Sequence, residues 1–367
     1  MRTISARQTG IIIFLTILAN KILLLPTIMY QQTKADSIFG ILGIFFVELL
    51  ILSIFLYVKL KFPNENLQEI LQKKIGHFCA KLIIFIFLIF FLFKTMLTYS
   101  VVYVYLKDLV YQDEFGFLAI VCFLPVVNHG VICGLRSISR TFELFFYLVI
   151  AGILFCFGIA FFTEISMPVF FTANPLTIFN TSFKYLFSFG DYLVLFVFIE
   201  KINLKKNDVK KFLRFVILGI LIVSSIFVIF YAKYQITAFM HNNALADLLV
   251  FSVQFNAIGR LDIVAMLTIM TLGLFQLEIF QYAFCESFSM VFTKLNNKFA
   301  IAVFDILFFV IYFILIGKYE LMINFTTSYL CYFSLLSNFL LPFIIFAVSF
   351  SKNKRIKNKG VRDEKSN

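Results

Sequence analysis

Hydrophobic residues in this chain run together in ten stretches, parted by short hydrophilic connections. A helix of about 20 apolar residues spans the hydrocarbon core of a bilayer. Residues 10–30, 37–57, 81–105, 117–132, 142–162, 176–202, 215–234, 261–284, 300–316 and 328–350 are therefore predicted as membrane spans. The mixed stretch 241–260 is predicted as a short helix at the surface, and 164–175 as a loop. Two spans carry a defect. In the first, Lys21 sits at the centre of the apolar run and Pro26 follows it. Proline lacks an N–H and its ring crowds the carbonyl four residues back, here that of Ile22, which is left free beside the charge. The sixth is interrupted by Ser188-Phe189-Gly190-Asp191. Broken backbone inside a bilayer is tolerated only where it lines a cavity or a water-filled site, and a charge at that depth marks function. Residues 18–22 are thus read as half of a binding site.

Ten spans divide as five plus five, and because five is odd the second half enters the membrane from the opposite side. The expected architecture is an all-α integral membrane protein in one domain, residues 1–350, with inverted halves at 5–162 and 176–350 and a basic cytoplasmic tail at 351–367. The broken spans one and six open the two halves, the arrangement that marks a transporter-type site at the bilayer midplane. Half-helix N-termini there offer N–H groups and positive dipole ends to a carboxylate, while unwound carbonyls hold a cation or an ammonium. A zwitterionic amino acid fits such a site.

Composition agrees: 61% of residues are hydrophobic and 14% charged, against a charged share of roughly 25% in soluble proteins. The net charge of +12 does not point to nucleic acid, because the basic residues are confined to a few connections and the tail. The span count delivers 24 Lys and Arg to one face and five to the other, which places both termini in the cytoplasm. Arg2 and Arg7 before an apolar run imitate a signal peptide, but Lys21 and the absence of a cleavage pattern make it a retained first helix. The six cysteines are scattered through apolar segments and the three histidines lie far apart, so no metal site is expected. No cofactor motif, nucleophile–base pair or phosphate loop points to an enzyme.

Four segments go further than topology: ISARQTG with ANKILLLP in the first span, GLRSISRTFELFF from Gly134, FSFGDYLVLFVFIEKI from Phe187, and GRLDIV from Gly259. In their order on ten spans the chain resembles the B-subunit family of bacterial spore germination receptors, within the amino acid–polyamine–organocation transporter superfamily. The resemblance implies a LeuT-like fold, residence in the spore inner membrane, and recognition of a nutrient germinant alongside A and C subunits. Two positions depart from the family pattern. Ala19-Asn20-Lys21 stands where relatives usually carry glycine, and Asp191 where they more often have glutamate.

Candidate ligand-binding residues are Ala19, Asn20, Lys21 and Ile22 at the first break, Phe189, Gly190 and Asp191 at the second, and Tyr99, Tyr103 and Glu278 from neighbouring spans. Lys21 has three readings: a pair with Asp191, a stand-in for the cation that sodium supplies in coupled relatives, or a donor to a ligand carboxylate. Glu48 and Glu278 either meet a ligand ammonium or a proton path, or sit as protonated acids in hydrogen bonds between helices. Lys94 and Lys184 are read as snorkelling if their spans are displaced, and Asp305 as a helix-packing acid. Pro26, Glu48, Arg136, Arg140, Glu143, Arg260 and Asp262 are assigned structural roles. Arg140 and Glu143, three apart, are expected to share a helix face. Three functions remain open: a germinant sensor, an amino acid permease coupled to a cation or proton, and an ion-conducting or scaffold subunit.

Overall fold

A computed structural model describes residues 3–23, 25–110, 113–161, 166–241, 244–250, 262–293, 295–316, 321 and 324–350. Arg260, the side chain of Asp262 and the basic tail 351–367 lie outside the described residues. The elements in chain order are α1 (Ala6–Lys21), α2 (Leu25–Thr33), α3 (Ser37–Lys61), α4 (Leu67–Ile75), α5 (His77–Val110), α6 (Asp113–Cys133) and α7 (Leu135–Phe161). They continue with α8 (Pro175–Lys184), α9 (Val194–Val197), α10 (Val209–Tyr234), α11 (Ala244–Val250), α12 (Asp262–Val291), α13 (Asn297–Ile311) and α14 (Thr326–Phe350).

Six helices among the described residues are long and apolar enough to cross a membrane, and they cover the expected spans two, three, five, seven, eight and ten. The expected spans one, four, six and nine come as shorter or broken helices, which a length criterion passes over. Large apolar side chains face outwards, among them Leu144 at 72% exposure and Phe46 at 65%. Such a surface is matched to lipid, and the protein is an integral membrane protein.

The first break falls beside the predicted charge. A capping box between Ser5 and Gln8 starts α1, which ends at Lys21, and α2 begins at Leu25 with Pro26 in its first turn. Two outside groups take up backbone oxygens at this break: the Ala244 N–H donates to Leu23 O at 3.2 Å and the Tyr231 hydroxyl to Pro26 O at 2.8 Å. This corrects the surface placement for residues 244–250; residues 251–260 of the same expected helix lie outside the described residues. Ala244, Leu245 and Leu248 of α11 are fully buried, because the helix start serves as the hydrogen-bond partner of a broken helix.

The second break is a longer unwinding. Between α8 and α9 the chain makes two 3₁₀ turns, Leu186–Ser188 and Asp191–Leu193, hinged on Gly190 at φ 88°. The left-handed region suits glycine, which has no Cβ to clash there. A short parallel pairing, Ile4 with Ile202 and Ser5 with Asn203, joins the start of α1 to the end of this segment. Around the two breaks, α1 lies against α7, α10 and α12, and α12 lies along α5.

Candidate functional site

The two breaks meet. Lys21, on the last turn of α1, pairs through Nζ with Asp191 Oδ2, the residue that follows Gly190. A second lysine joins from the middle of α5: Lys94 Nζ is 3.1 Å from Asp191 Oδ1 and donates to the carbonyls of Phe187 at 2.9 Å and Phe189 at 2.7 Å. Unwinding frees those carbonyls and Lys94 satisfies them, so the break and the buried ammonium stabilise each other. From α3, Glu48 Oε1 accepts the Gly190 N–H at 2.5 Å. Lys21, Lys94 and Asp191 are fully buried and Glu48 nearly so.

Two ammonium and two carboxyl groups therefore close on a single turn of backbone. Desolvating them is expensive, and the arrangement holds only because each charge has an opposite charge or a dipole against it. The Phe189 ring, with its centroid 5.0 Å from Lys21 Nζ, adds a cation–π contact. Beside the charges runs a polar relay: Asn20 Nδ2 donates to Thr98 Oγ1 at 2.9 Å, Thr98 to Gln276 Oε1 at 3.2 Å, and Gln276 Nε2 to Thr16 O at 2.9 Å. Three buried atoms around the cluster, Asn20 Oδ1, Glu48 Oε2 and the Tyr192 hydroxyl, make no hydrogen bond among the described residues. Ala19 and Ile22 are buried at the same turn.

The other expected ligand contacts lie elsewhere. Tyr99 turns its ring onto Phe308 of α13, with centroids 4.5 Å apart, and Tyr103 lies buried one turn further along α5. Glu278 lies against Gly130 of α6, where an added Cβ would come 2.6 Å from Oε1, while Gln276, two residues earlier, serves the relay. Glu143 does not pair with Arg140. It takes Arg7 at 3.2 Å and Gln8 at 3.3 Å, because the first turn of α1 runs beside α7. Arg136 and Arg140 instead line a cleft of about 470 Å³ with Gly134, Ser137, Lys201 and Tyr282. Asp305 receives Asn128 Nδ2 at 3.0 Å in a seam between α6 and α13.

Sequence reasoning passed over several members. Lys94 is held inside the cluster and does not snorkel; its depth in the middle of the long apolar α5 was the available signal. Asn338 lies in a π-helical turn of α14 and sends Nδ2 to Leu186 O at 3.4 Å, in a polar pair with Ser337 that apolar surroundings obscured. Asp36, between the first two expected spans, accepts backbone N–H groups of Phe171, Thr172 and Ala173 at 2.6, 2.7 and 2.7 Å and clamps the connection before α8. Next to that clamp lies a cavity of about 640 Å³ lined by Tyr30, Gln31, Lys34, Thr172, Tyr231 and Phe239. Tyr231 also holds Pro26 O, so the cavity borders the first break.

Residues 3–320 match the family described as spore germination protein, the spore permease family. A search of curated proteins finds no match to this chain.

Proposed function

The chain belongs to the spore germination protein family, a receptor-like and transporter-like family of membrane proteins, and from that premise we propose that it is the nutrient-sensing subunit of a spore germination receptor. The reading places ten spans in a LeuT-like pair of inverted halves, 5–162 and 176–350, in the spore inner membrane, with both termini cytoplasmic and with A and C subunits as partners. Its ligand is a small zwitterion, an amino acid, bound where the two breaks meet. The observation that carries this is the buried Lys21–Asp191 pair, one partner from each broken helix. A ligand carboxylate takes Lys21 and a ligand ammonium takes Asp191, so one ion pair becomes two and α1 is released from the segment after α8. Lys94 stays on Asp191 and the freed carbonyls throughout and keeps the second break in shape. Asn20 and Gly190 complete the proposed contact set with Ala19, Ile22 and Phe189.

The test is germination of spores carrying Asn20→Ala. This removes a free buried acceptor next to the pair, together with the Nδ2 hydrogen bond to Thr98, and leaves the four ionisable groups in place. The expected result is a dose–response shifted by about tenfold for one nutrient, the size of one lost hydrogen bond to a charged group, with unchanged protein abundance in the spore membrane. Unchanged responses to every nutrient would remove the breaks as the sensing site. Accumulation of a labelled amino acid by the purified protein in proteoliposomes would make it a permease.

A further inference from the structure

The cleft at the start of α7 has no part in the ligand site, and its chemistry is of a different kind. Arg136 and Arg140 enter it one turn apart, both exposed and neither with an ion-pair partner among the described residues. Lys201, at the end of the second broken segment, forms the opposite wall and is fixed there by Glu286 Oε2 at 2.5 Å and the Tyr282 hydroxyl at 2.7 Å. Lys201 is therefore balanced, and the surplus positive charge of the cleft belongs to the two arginines. At about 470 Å³ the space is of the size that holds a small ligand.

The surface beyond the cleft narrows the choice of occupant. Along α7 the face that begins with Arg136 and Arg140 continues, at helical spacing, through Leu144 at 72% exposure and Leu148 at 49%, with the ring of Tyr147 between them, its hydroxyl accepting from Arg7 at 2.8 Å. An acidic protein segment would leave that apolar stripe uncovered, and a free phosphate would make no use of it. A molecule with an anionic head and apolar tails matches both parts. Basic pockets between helices at the membrane boundary hold anionic headgroups in this way, and arginine binds phosphate through two parallel N–H groups.

We propose that this cleft seats the headgroup of an anionic phospholipid, with its phosphate between Arg136 and Arg140 and its chains along the exposed stripe of α7. The occupant joins the start of α7 to Lys201 and Tyr282, and so to the segment that carries the second break.

The experiment uses the purified full chain in a neutral detergent. Phosphatidylglycerol and phosphatidylcholine of identical chains are added separately, and lipid retention is read by native mass spectrometry beside the thermal unfolding midpoint. Phosphatidylglycerol is expected to be retained and to raise the midpoint, and phosphatidylcholine to do neither. In Arg136→Gln with Arg140→Gln, retention is expected to fall about thirtyfold, because two cationic side chains at the anionic headgroup are lost. Lys205→Gln with Lys206→Gln, which removes two exposed charges outside the cleft, is expected to leave retention unchanged. Equal loss in that control would show general charge attraction and overturn the site. A midpoint shift reproduced by inorganic phosphate alone would overturn the lipid assignment. So would a Gln variant that keeps phosphatidylglycerol as the wild type does. If the Gln pair does not fold, Arg136→Lys with Arg140→Lys takes its place; lysine keeps the charge but loses the paired N–H contacts, so retention is expected to fall, and undiminished retention would contradict the proposal.

Discussion

At Asp191 two lysines converge on one carboxylate, and that changes what each substitution does. Asp191→Asn leaves both ammonium groups short of a counter-charge, with Glu48 engaged by the Gly190 N–H. Lys21→Met leaves Asp191 still held by Lys94. Asp191→Asn is therefore expected to be the more damaging single change, by about 3–5 kcal/mol as for other broken buried pairs, and Lys21→Met distinctly milder. Combining them is expected to recover part of the loss, because one of the two orphaned lysines is gone and Lys94 remains. Thermal unfolding of the three variants in detergent checks the order; strictly additive losses would mean that Lys21 and Asp191 do not interact. Gly190 makes a separate point. Sequence reasoning valued it as open space for a ligand, whereas a Cβ there would lie 2.3 Å from Asn338 Oδ1 on a backbone at φ 88°. Gly190→Ala is expected to cost about 1–2 kcal/mol for the left-handed backbone plus the steric clash. Asn338→Ala should relieve the clash alone, and a double variant as stable as the wild type would contradict the backbone part. The lysine and the aspartate were legible because charges are conspicuous in apolar runs; Asn338 and Thr98 were not, because lone amides and hydroxyls in such runs carry no pattern.

The breaks themselves were legible at the level of elements, since proline beside a lysine and glycine beside an aspartate are chemically incompatible with a lipid-facing helix. What fills the breaks was not. Periodicity needs a window of about eleven residues or more, and the seven residues of α11, preceded by His241, Asn242 and Asn243, did not announce that it would turn inwards. Its role gives a direct test. Ala244 opens α11, and proline is accepted in the first turn of a helix, so Ala244→Pro removes little beyond the N–H that reaches Leu23 O. The expected effect is a loss of about 1 kcal/mol and faster amide hydrogen exchange localised to residues 21–27. Unchanged exchange there would show that α11 does not secure the first break. The parallel pairing of Ile4 and Ser5 with Ile202 and Asn203 was equally hidden, because two residues are too few to display a strand pattern.

For the whole molecule, the all-helical membrane class followed from composition, and the long helices fall where continuous apolar runs lie. Pairings between distant helices were beyond reach except at the charges, because packing among so many phenylalanines is nearly interchangeable along the sequence. Orientation rests on a different physical argument. Basic residues near span ends resist transfer across the membrane, and on a ten-span path 24 Lys and Arg collect on the face that also receives both termini, against five on the other. On that reading Lys205, in the connection before α10, is expected to face the cytoplasm, and Asp113, at the start of α6, the opposite side. Single cysteines at these positions report this in intact cells with a membrane-impermeant maleimide. Cys79, Cys122 and Cys133 are exposed and must first be replaced, whereas Cys156, Cys285 and Cys331 are buried and are expected to stay silent. The expected outcome is labelling from outside at position 113 and none at 205 until the cells are opened. The reverse pattern would invert the topology, and labelling of both from outside would mean an even number of crossings between them, where the ten-span path has three.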